Sequence, residues 1–435
     1  MGIFAANVIL FAMISAASLN PGAFGGHRGA DLAVWLANFV FVDGKFRSLF
    51  SILFGASMLL VIERAEASGQ SPAAVHYRRM IVLLFLGLIH FYVVWHGDIL
   101  TLYALVGMIG FLFRKRRTKT LLIWAMGLFA FLTIGAASTT IRLRNADLAA
   151  HSPHASKEQV EYWNGFIGVV SAHPAADERE TRAMRERLPE RIRYMLAELL
   201  MAPVRQFGSW GLSTLGLMLV GMAGYRSGFL TGAWPDRRYQ HIAAATLVSG
   251  GLTSLAIALW IMASSFYLPL LFFGGFAFDL IHLAMALGYA SLFILLTRRN
   301  GWFAQRLAAT GRAALTNYLG TSILAALIFY GDGLSLFGHL SRFQAWLFVP
   351  LFWLLMLAWS KPWLDRFAYG PFEWLWRSLW RWQLQPMKRG AGEVAAASQR
   401  RQTTTLDGKR ILDARLLASA NAANLDDAIG SHNQR

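Results

Sequence analysis

Apolar stretches of about 20 residues follow one another along most of this sequence, and they constrain its fold more than any other feature. A helix of that length is long enough to cross the hydrocarbon core of a bilayer, which is about 30 Å thick. The 56% hydrophobic residues, the 15% charged residues and the mean hydropathy of +0.42 agree with this interpretation. The sequence therefore predicts a polytopic membrane protein.

Backbone groups in lipid must be hydrogen-bonded within their own segment, so these stretches are expected to be helices. We predict an all-α bundle of about ten transmembrane helices, near residues 2–18, 46–62, 80–96, 99–113, 121–139, 207–224, 240–262, 276–297, 313–330 and 343–359. A shorter apolar segment, residues 33–42, is too brief to span and is expected to lie in the interface or to dip into it.

Basic residues fall mainly on one side of this predicted bundle. That side has 21 of them: Arg64, Arg78, Arg79, Arg114, Lys115, Arg116, Arg117, Lys119, Arg226, Arg237, Arg238, Arg298, Arg299, Arg306, Arg312, Lys361, Arg366, Arg377, Arg381, Lys388 and Arg389. The short connections of the opposite side have four: Arg28, Lys45, Arg47 and Arg342. The positive-inside rule then places both termini in the cytoplasm and explains most of the +17 net charge without nucleic-acid binding. The expected partner is the lipid bilayer.

Four regions follow from this pattern. Residues 1–139 contain helices 1–5, and residues 207–387 contain helices 6–10 followed by an aromatic segment expected to lie in the interface. Residues 140–206 form a long connection on the outer side, with an amphipathic helix over 176–203. That helix either rests on the membrane surface or covers an outward-facing site. Residues 388–435 are expected to be a disordered cytoplasmic tail.

Several kinds of chemistry are unlikely on sequence grounds. The chain has no cysteine, so disulfides, thiolate metal sites and cysteine nucleophiles are excluded. The phosphate-loop, zinc-protease and serine-hydrolase motifs do not occur either. No metal site is predicted.

The third and fourth helices contain the candidate catalytic residues. An ionisable residue inside a span is a functional candidate by default, and His90 lies six residues before the predicted outer end of its helix. Its imidazole could act as a general base or carry an acyl group; alternatively, it is a hydrogen-bonded structural histidine. Asp98 begins the next helix, where it either caps that helix or orients His90. The short turn 95–97 makes the two helices antiparallel neighbours.

Other polar residues near the outer side are candidate substrate contacts. Asp43, Lys45 and Arg47 lie at the outer end of the second helix, where two basic residues depart from the charge bias of the chain. They either reach to the lipid headgroups or line a cavity for an anionic group. His96 is included as an interfacial neighbour of His90. Two further candidates, Asp279 and His282, share a face of the eighth helix, where they could relay a proton or pair with each other.

Four segments resemble the YeiB-like family of bacterial inner-membrane proteins. They are residues 43–55 (DGKFRSLFSILFG), residues 87–90 (GLIH) with 95–105 (WHGDILTLYAL), residues 311–319 (GRAALTNYL) and residues 370–379 (GPFEWLWRSL). Members usually open with an acidic residue and an Arg-Gly pair before the first helix. This sequence begins near the middle of that helix, which predicts a late-called start codon or a missing element.

The family is distantly similar to transmembrane acyltransferases of the heparan-alpha-glucosaminide N-acetyltransferase type. This similarity implies transfer of an acyl group from cytoplasmic acyl-CoA to an envelope or sugar acceptor, with an embedded histidine. Arg312 and Asn317, at the start of the ninth helix, and the 114–119 cluster are then the expected coenzyme A contacts; alternatively, Arg312 and Asn317 anchor the loop that precedes that helix. The alternative function is transport or export of a small molecule, with Lys45, Arg47, His90 and Asp98 along its pathway. The oligomeric state is left open.

Overall fold

Helices make up nearly all of the regular structure in the computed structural model, which describes residues 1–22, 24–170, 174–267, 269–271, 278–299 and 301–388. The predicted tail beyond residue 388 lies outside the described residues. Within them, seven helical spans are long and apolar enough to cross a membrane, or eight if one bent pair counts as a span. Two shorter apolar helices, Gly2–Ala12 and Leu100–Phe113, bring the total near the predicted ten. The all-α polytopic fold is confirmed, and the number of full-length spans is smaller than predicted.

The helices follow one another in the order of the chain. They are α1 Gly2–Ala12, α2 Ala16–Leu19, α3 Gly29–Phe41, α4 Lys45–Ala67, α5 Pro72–Ile89, α6 Leu100–Gly110, α7 Thr118–Ala150, α8 Lys157–Val170, α9 Pro174–Arg185, α10 Leu188–Glu198, α11 Ala202–Arg226, α12 Asp236–Ala263, α13 Asp279–Arg298, α14 Trp302–Arg312, α15 Ala314–Phe329, α16 Arg342–Trp346, α17 Phe348–Arg366 and α18 Pro371–Arg381.

The centre of the bundle is the crossing of α4 and α11. A β-carbon placed on Gly221 of α11 would lie 1.9 Å from the carbonyl oxygen of Ile52, and one on Gly55 of α4 would lie 2.1 Å from that of Met218. The two backbones therefore approach closely only because both positions lack a side chain, as is common where membrane helices pack. The largest buried apolar cluster surrounds this crossing, with contributions from α6, α7 and α13.

Several elements differ from the predicted segments. α7 continues to Ala150 instead of ending near residue 139, and the single amphipathic helix expected over 176–203 is divided into α9 and α10. The short segment expected at 33–42 is α3, which joins α4 through Gly44 in a left-handed conformation, with φ of +74°. α3 and α4 together form one candidate span of 39 residues. At 1.5 Å per residue that is about 58 Å, longer than the hydrocarbon core, so part of it must extend beyond.

The predicted helix at 313–330 is one arm of a bent pair. α14 and α15 meet at an angle of 79° around Ala313. The N-terminus of α15 is capped from a distant helix: Glu373 of α18 accepts the backbone N–H groups of Leu315 and Thr316 at 2.7 and 3.0 Å and also the hydroxyl of Thr316. The 311–319 and 370–379 segments of the sequence therefore form one joint, at what we call the tail end of the bundle. The opposite end, where α9 and α10 lie, is called the loop end.

Candidate functional site

His90 occupies a local break in helical geometry near the loop end. α5 ends at Ile89, and residues His90–Val94 form one π-helical turn, a feature that is frequent at functional sites. Beside it, α5 and α6 approach closely at Gly87, where an added β-carbon would lie 2.6 Å from the backbone nitrogen of Thr101. The glycine and the wide turn bring the side chain of His90 to the first turn of α6.

The His90 imidazole is paired with Asp98. Nδ1 of His90 lies 2.9 Å from Oδ1 of Asp98, and the two side chains are 2% and 0% exposed. The other oxygen, Oδ2, accepts the backbone N–H of Thr101 at 2.8 Å. Asp98 thus performs both roles that the sequence left open, since it caps α6 and holds the histidine. Nε2 of His90 is buried and has no hydrogen-bond partner among the described residues.

Two further helices complete this pocket. Tyr318 of α15 places its ring 5.2 Å from the His90 ring, and its hydroxyl accepts the backbone N–H of Ile99 at 3.2 Å. From the start of α11, Gln206 donates its side-chain amide to the carbonyl oxygen of Asp98 at 2.9 Å. The pair therefore lies where α5, α6, α11 and α15 meet. No single sequence motif contains all of the residues that contact it.

The loop end above the pair is covered by α9 and α10. Arg191 of α10 forms a 2.7 Å ion pair with Asp332, and Glu180 of α9 accepts the hydroxyl of Ser15 at 2.7 Å. Trp95, which is fully buried, stacks on Phe11 at a ring separation of 4.0 Å beneath this layer. In the structure, the segment predicted either to rest on the membrane or to act as a lid packs over the loop end of the bundle.

A second polar cluster joins α4, α11 and α13. Arg47 lies 3.4 Å from Oδ1 of Asp279, which also accepts the hydroxyl of Ser213 at 2.8 Å. The guanidinium stacks 4.6 Å from the ring centroid of Trp210. Because an ion pair at this depth costs much desolvation, its presence marks a site with a function or a strict packing requirement.

The remaining candidates of this region are placed differently from the prediction. Asp279 is engaged by Arg47 and Ser213, so the proposed Asp279–His282 pair is not the arrangement that the hydrogen bonds describe. His282 instead lies against Gly44, where an added β-carbon would be 2.3 Å from the imidazole ring. Lys45 is buried and donates to the carbonyl oxygen of Phe39.

Asp43 and His96 lie in the two turns near these clusters. Asp43 donates its backbone N–H to Asn38 at 2.8 Å, in the turn between α3 and α4. His96 follows the π-helical turn, and burial lowers the pKa of its imidazole while the charge of Glu180 opposes that shift. Neither residue has a hydrogen bond to the His90–Asp98 pair among those described.

The two expected coenzyme A contacts are separated by the α14–α15 bend. Arg312 ends α14 with an exposed side chain. Asn317 is buried: its amide donates to Thr310 at 3.0 Å and to Ser360 at 3.2 Å, and its oxygen accepts the indole N–H of Trp359 at 2.9 Å. These bonds are what an anchoring role predicts for Asn317.

Three contributors were not selected from the sequence: Tyr318, Gln206 and Ser213. Tyr318 lies within the 311–319 segment that resembles the family, so the sequence could have indicated this residue. The other two are ordinary polar residues on α11, and only the fold shows what they contact. Among the described residues, no group of three or more histidine or acidic side chains could hold a metal ion.

Comparisons with known proteins agree with the resemblance of the sequence. A family described as a protein of unknown function, DUF418, matches residues 224–383. The uncharacterized protein YeiB of Escherichia coli K12 is 32% identical over 390 residues, which cover 87% of this chain and 92% of that protein. The uncharacterized protein YxaH of Bacillus subtilis 168 is 30% identical over 363 residues, covering 80% and 82%. No solved structure matches significantly. The chain therefore belongs to the YeiB-like family of bacterial membrane proteins.

Proposed function

We propose that this protein transfers an acyl group to an acceptor at the loop end of the bundle, with His90 as the general base. The observation that carries the proposal is the buried His90–Asp98 pair, in which Asp98 engages Nδ1 and Nε2 has no described partner. Buried polar groups nearly always have a hydrogen-bond partner, so an open imidazole nitrogen requires an explanation. A substrate hydroxyl or amine would supply that partner.

The reaction needs one proton carrier. The acceptor attacks the acyl carbonyl carbon of a thioester while its own proton passes to Nε2 of His90. The new C–O or C–N bond replaces the C–S bond, and the imidazolium then returns the proton to the leaving thiolate. Asp98 stabilises that imidazolium through the Nδ1–H bond, as a carboxylate does beside any catalytic histidine.

The acyl donor in this proposal is acyl-CoA, approaching from the tail end. Lys115, Arg117 and Lys119 have exposed side chains there, as does Arg312. These cations offer contacts for the phosphates of coenzyme A, although their number is also what positive-inside placement requires. We assign Asn317 to anchoring the α14–α15 bend instead, because its amide is already bonded to protein groups.

We place the protein in the inner membrane, with the tail end and both termini in the cytoplasm. This orientation rests on the distribution of basic residues described above. It puts the donor and the acceptor on opposite faces of the bilayer, with His90 and Asp98 nearer the outer face.

The test is acyl transfer by purified protein supplied with radiolabelled acetyl-CoA and a panel of hydroxyl and amine acceptors. His90→Ala should reduce turnover at least about 100-fold, because general-base catalysis contributes about 10²–10⁴-fold. His76→Gln is the matched control, since His76 is equally buried but already bonded to Gly107 at 3.0 Å. Gel filtration establishes that each variant is folded. Full turnover by a folded His90→Ala protein would disprove the mechanism.

Transport is the competing function, and the Arg47–Asp279 pair inside the spans is the observation in its favour. Flux of the same compounds into liposomes distinguishes the two. Acyl transfer predicts radiolabelled product without net movement of acceptor, and it predicts that Asp279→Asn does not abolish turnover.

A further inference from the structure

A groove of about 280 Å³ runs between α7 and α11, on the exposed side of the bundle. Its α7 wall passes from Phe131 and Leu132 to Thr139 and Arg142, and Trp210 and Ser213 form part of the α11 wall. The lining therefore changes from apolar to polar along its length. Such a gradient matches a molecule that has an acyl chain at one end and a polar head at the other.

The depth of the groove supports the same occupant. α7 begins at Thr118, directly after the basic cluster, and rises about 1.5 Å per residue. Phe131 is then about 20 Å from the start of α7, and Arg142 is about 36 Å from it. With a core of about 30 Å, the apolar part lies within the far leaflet and the polar part at its headgroup level.

The polar end of the groove carries an exposed cationic group, Arg142. Asp279 also lines the groove, but its carboxylate is engaged by Arg47 and Ser213. Arg47 is not one of the lining residues: it stacks against Trp210 and pairs with Asp279. Arg142 is exposed at the mouth of the groove, with one side-chain bond to Thr139 at 3.0 Å. Because Asp279 is paired with Arg47, Arg142 is the charged group of this lining that has no counter-ion among the described contacts.

We propose that this groove binds the phosphate head and upper acyl chain of an anionic lipid from the leaflet at the loop end. The phosphate meets Arg142, and the chain lies along Phe131 and Leu132. Arginine is well suited to this role because its planar guanidinium binds phosphate oxygens in pairs. The proposal does not depend on the acyl-transfer chemistry at His90.

The test is native mass spectrometry of the detergent-purified protein with added phosphatidylglycerol, phosphatidylethanolamine or inorganic phosphate. A retained phosphatidylglycerol adduct, at least about tenfold preferred over phosphatidylethanolamine, is expected. Gly135→Leu should remove it, because Gly135 lines the groove and a β-carbon there meets nothing within 4 Å. Gly127→Leu is the matched control, on the same helix with equally open surroundings but outside the groove.

Arg142→Gln provides a second variant that does not disturb the core, since that side chain is exposed. It should lower the preference for phosphatidylglycerol by about tenfold, the usual effect of losing one charge-assisted contact. Equal retention of the two lipids, or equal adducts in Gly135→Leu and Gly127→Leu, would overturn the proposal. Displacement of the lipid by millimolar inorganic phosphate would also overturn it, because the site would then recognise the anion alone.

Discussion

The crossing of α4 and α11 makes a sharp prediction about the stability of the bundle. In Gly221→Ala, the new methyl group would lie 1.9 Å from the carbonyl oxygen of Ile52, whereas ordinary contact begins at 3.4 Å. The methyl group would therefore lie about 1.5 Å closer to that oxygen than ordinary contact allows. The obstacle is helix backbone, which cannot rotate away as a flexible side chain can, so the two helices must move apart.

The expected cost follows from two opposing effects. Alanine gains about 1 kcal/mol over glycine in a helix interior through its higher helix propensity. Overpacking of a tight contact costs about 1–3 kcal/mol and occasionally more, and a backbone-to-backbone clash belongs at the upper end of that range. We therefore expect a net loss of about 2 kcal/mol in the free energy of unfolding for Gly221→Ala.

Thermal unfolding of the purified protein in detergent is the assay, with Gly127→Ala as the control. A β-carbon at Gly127 would meet nothing within 4 Å, so only the propensity gain applies and stability should be unchanged or higher. The two substitutions are chemically identical, but only Gly221→Ala should lower Tm. A Tm for Gly221→Ala at or above that of Gly127→Ala would refute the close approach of α4 and α11.

Three other predictions follow from the joints described above. Glu373→Gln should lower the free energy of unfolding by about 1–2 kcal/mol in the same thermal assay, because the cap on α15 loses its charge. Asp332→Ala should increase cleavage within residues 174–200 on limited proteolysis, because Arg191 loses its ion-pair partner and α10 its tie to the loop end. For the orientation, Arg117→Cys should react with a membrane-impermeant thiol reagent only after lysis and Val160→Cys in intact cells, and the reverse labelling would contradict the topology.

Much of the fold follows from apolar segment length, but the ends of the helices do not. The apolar part of α7 ends near residue 139, whereas its backbone stays helical to Ala150. Beyond the apolar run, helix propensity and packing against α8 decide the end, and hydropathy does not report either. No proline near Ala313 indicates in the sequence that the helices bend there by 79°. The helix that begins after the bend is capped by Glu373, which comes from a helix about 60 residues later in the sequence.

Some contacts of the candidate site could likewise be predicted from the sequence, and others could not. His90 and Asp98 are eight residues apart across a short turn, so their contact could be inferred from the sequence. Arg47 and Asp279 are separated by 232 residues, and only the packing of α4 against α13 brings them together. The sequence suggested that Asp279 pairs with His282, because both lie on one face of a helix. In the structure Asp279 contacts Arg47 instead. Local spacing predicts local pairs, and it carries no information about partners from distant helices.

The contact between Tyr318 and the first turn of α6 has a consequence for recognising related chains. The DUF418 match covers residues 224–383, which include Tyr318 and Asp279 but neither His90 nor Asp98. The hydroxyl of Tyr318 accepts the N–H of Ile99 across that boundary, so the matched region ends inside the pocket instead of around it. A search with this region alone would retrieve proteins without asking whether they carry the histidine pair. A hybrid that exchanged residues 224–383 between two relatives would have to preserve this bond to keep the pocket intact.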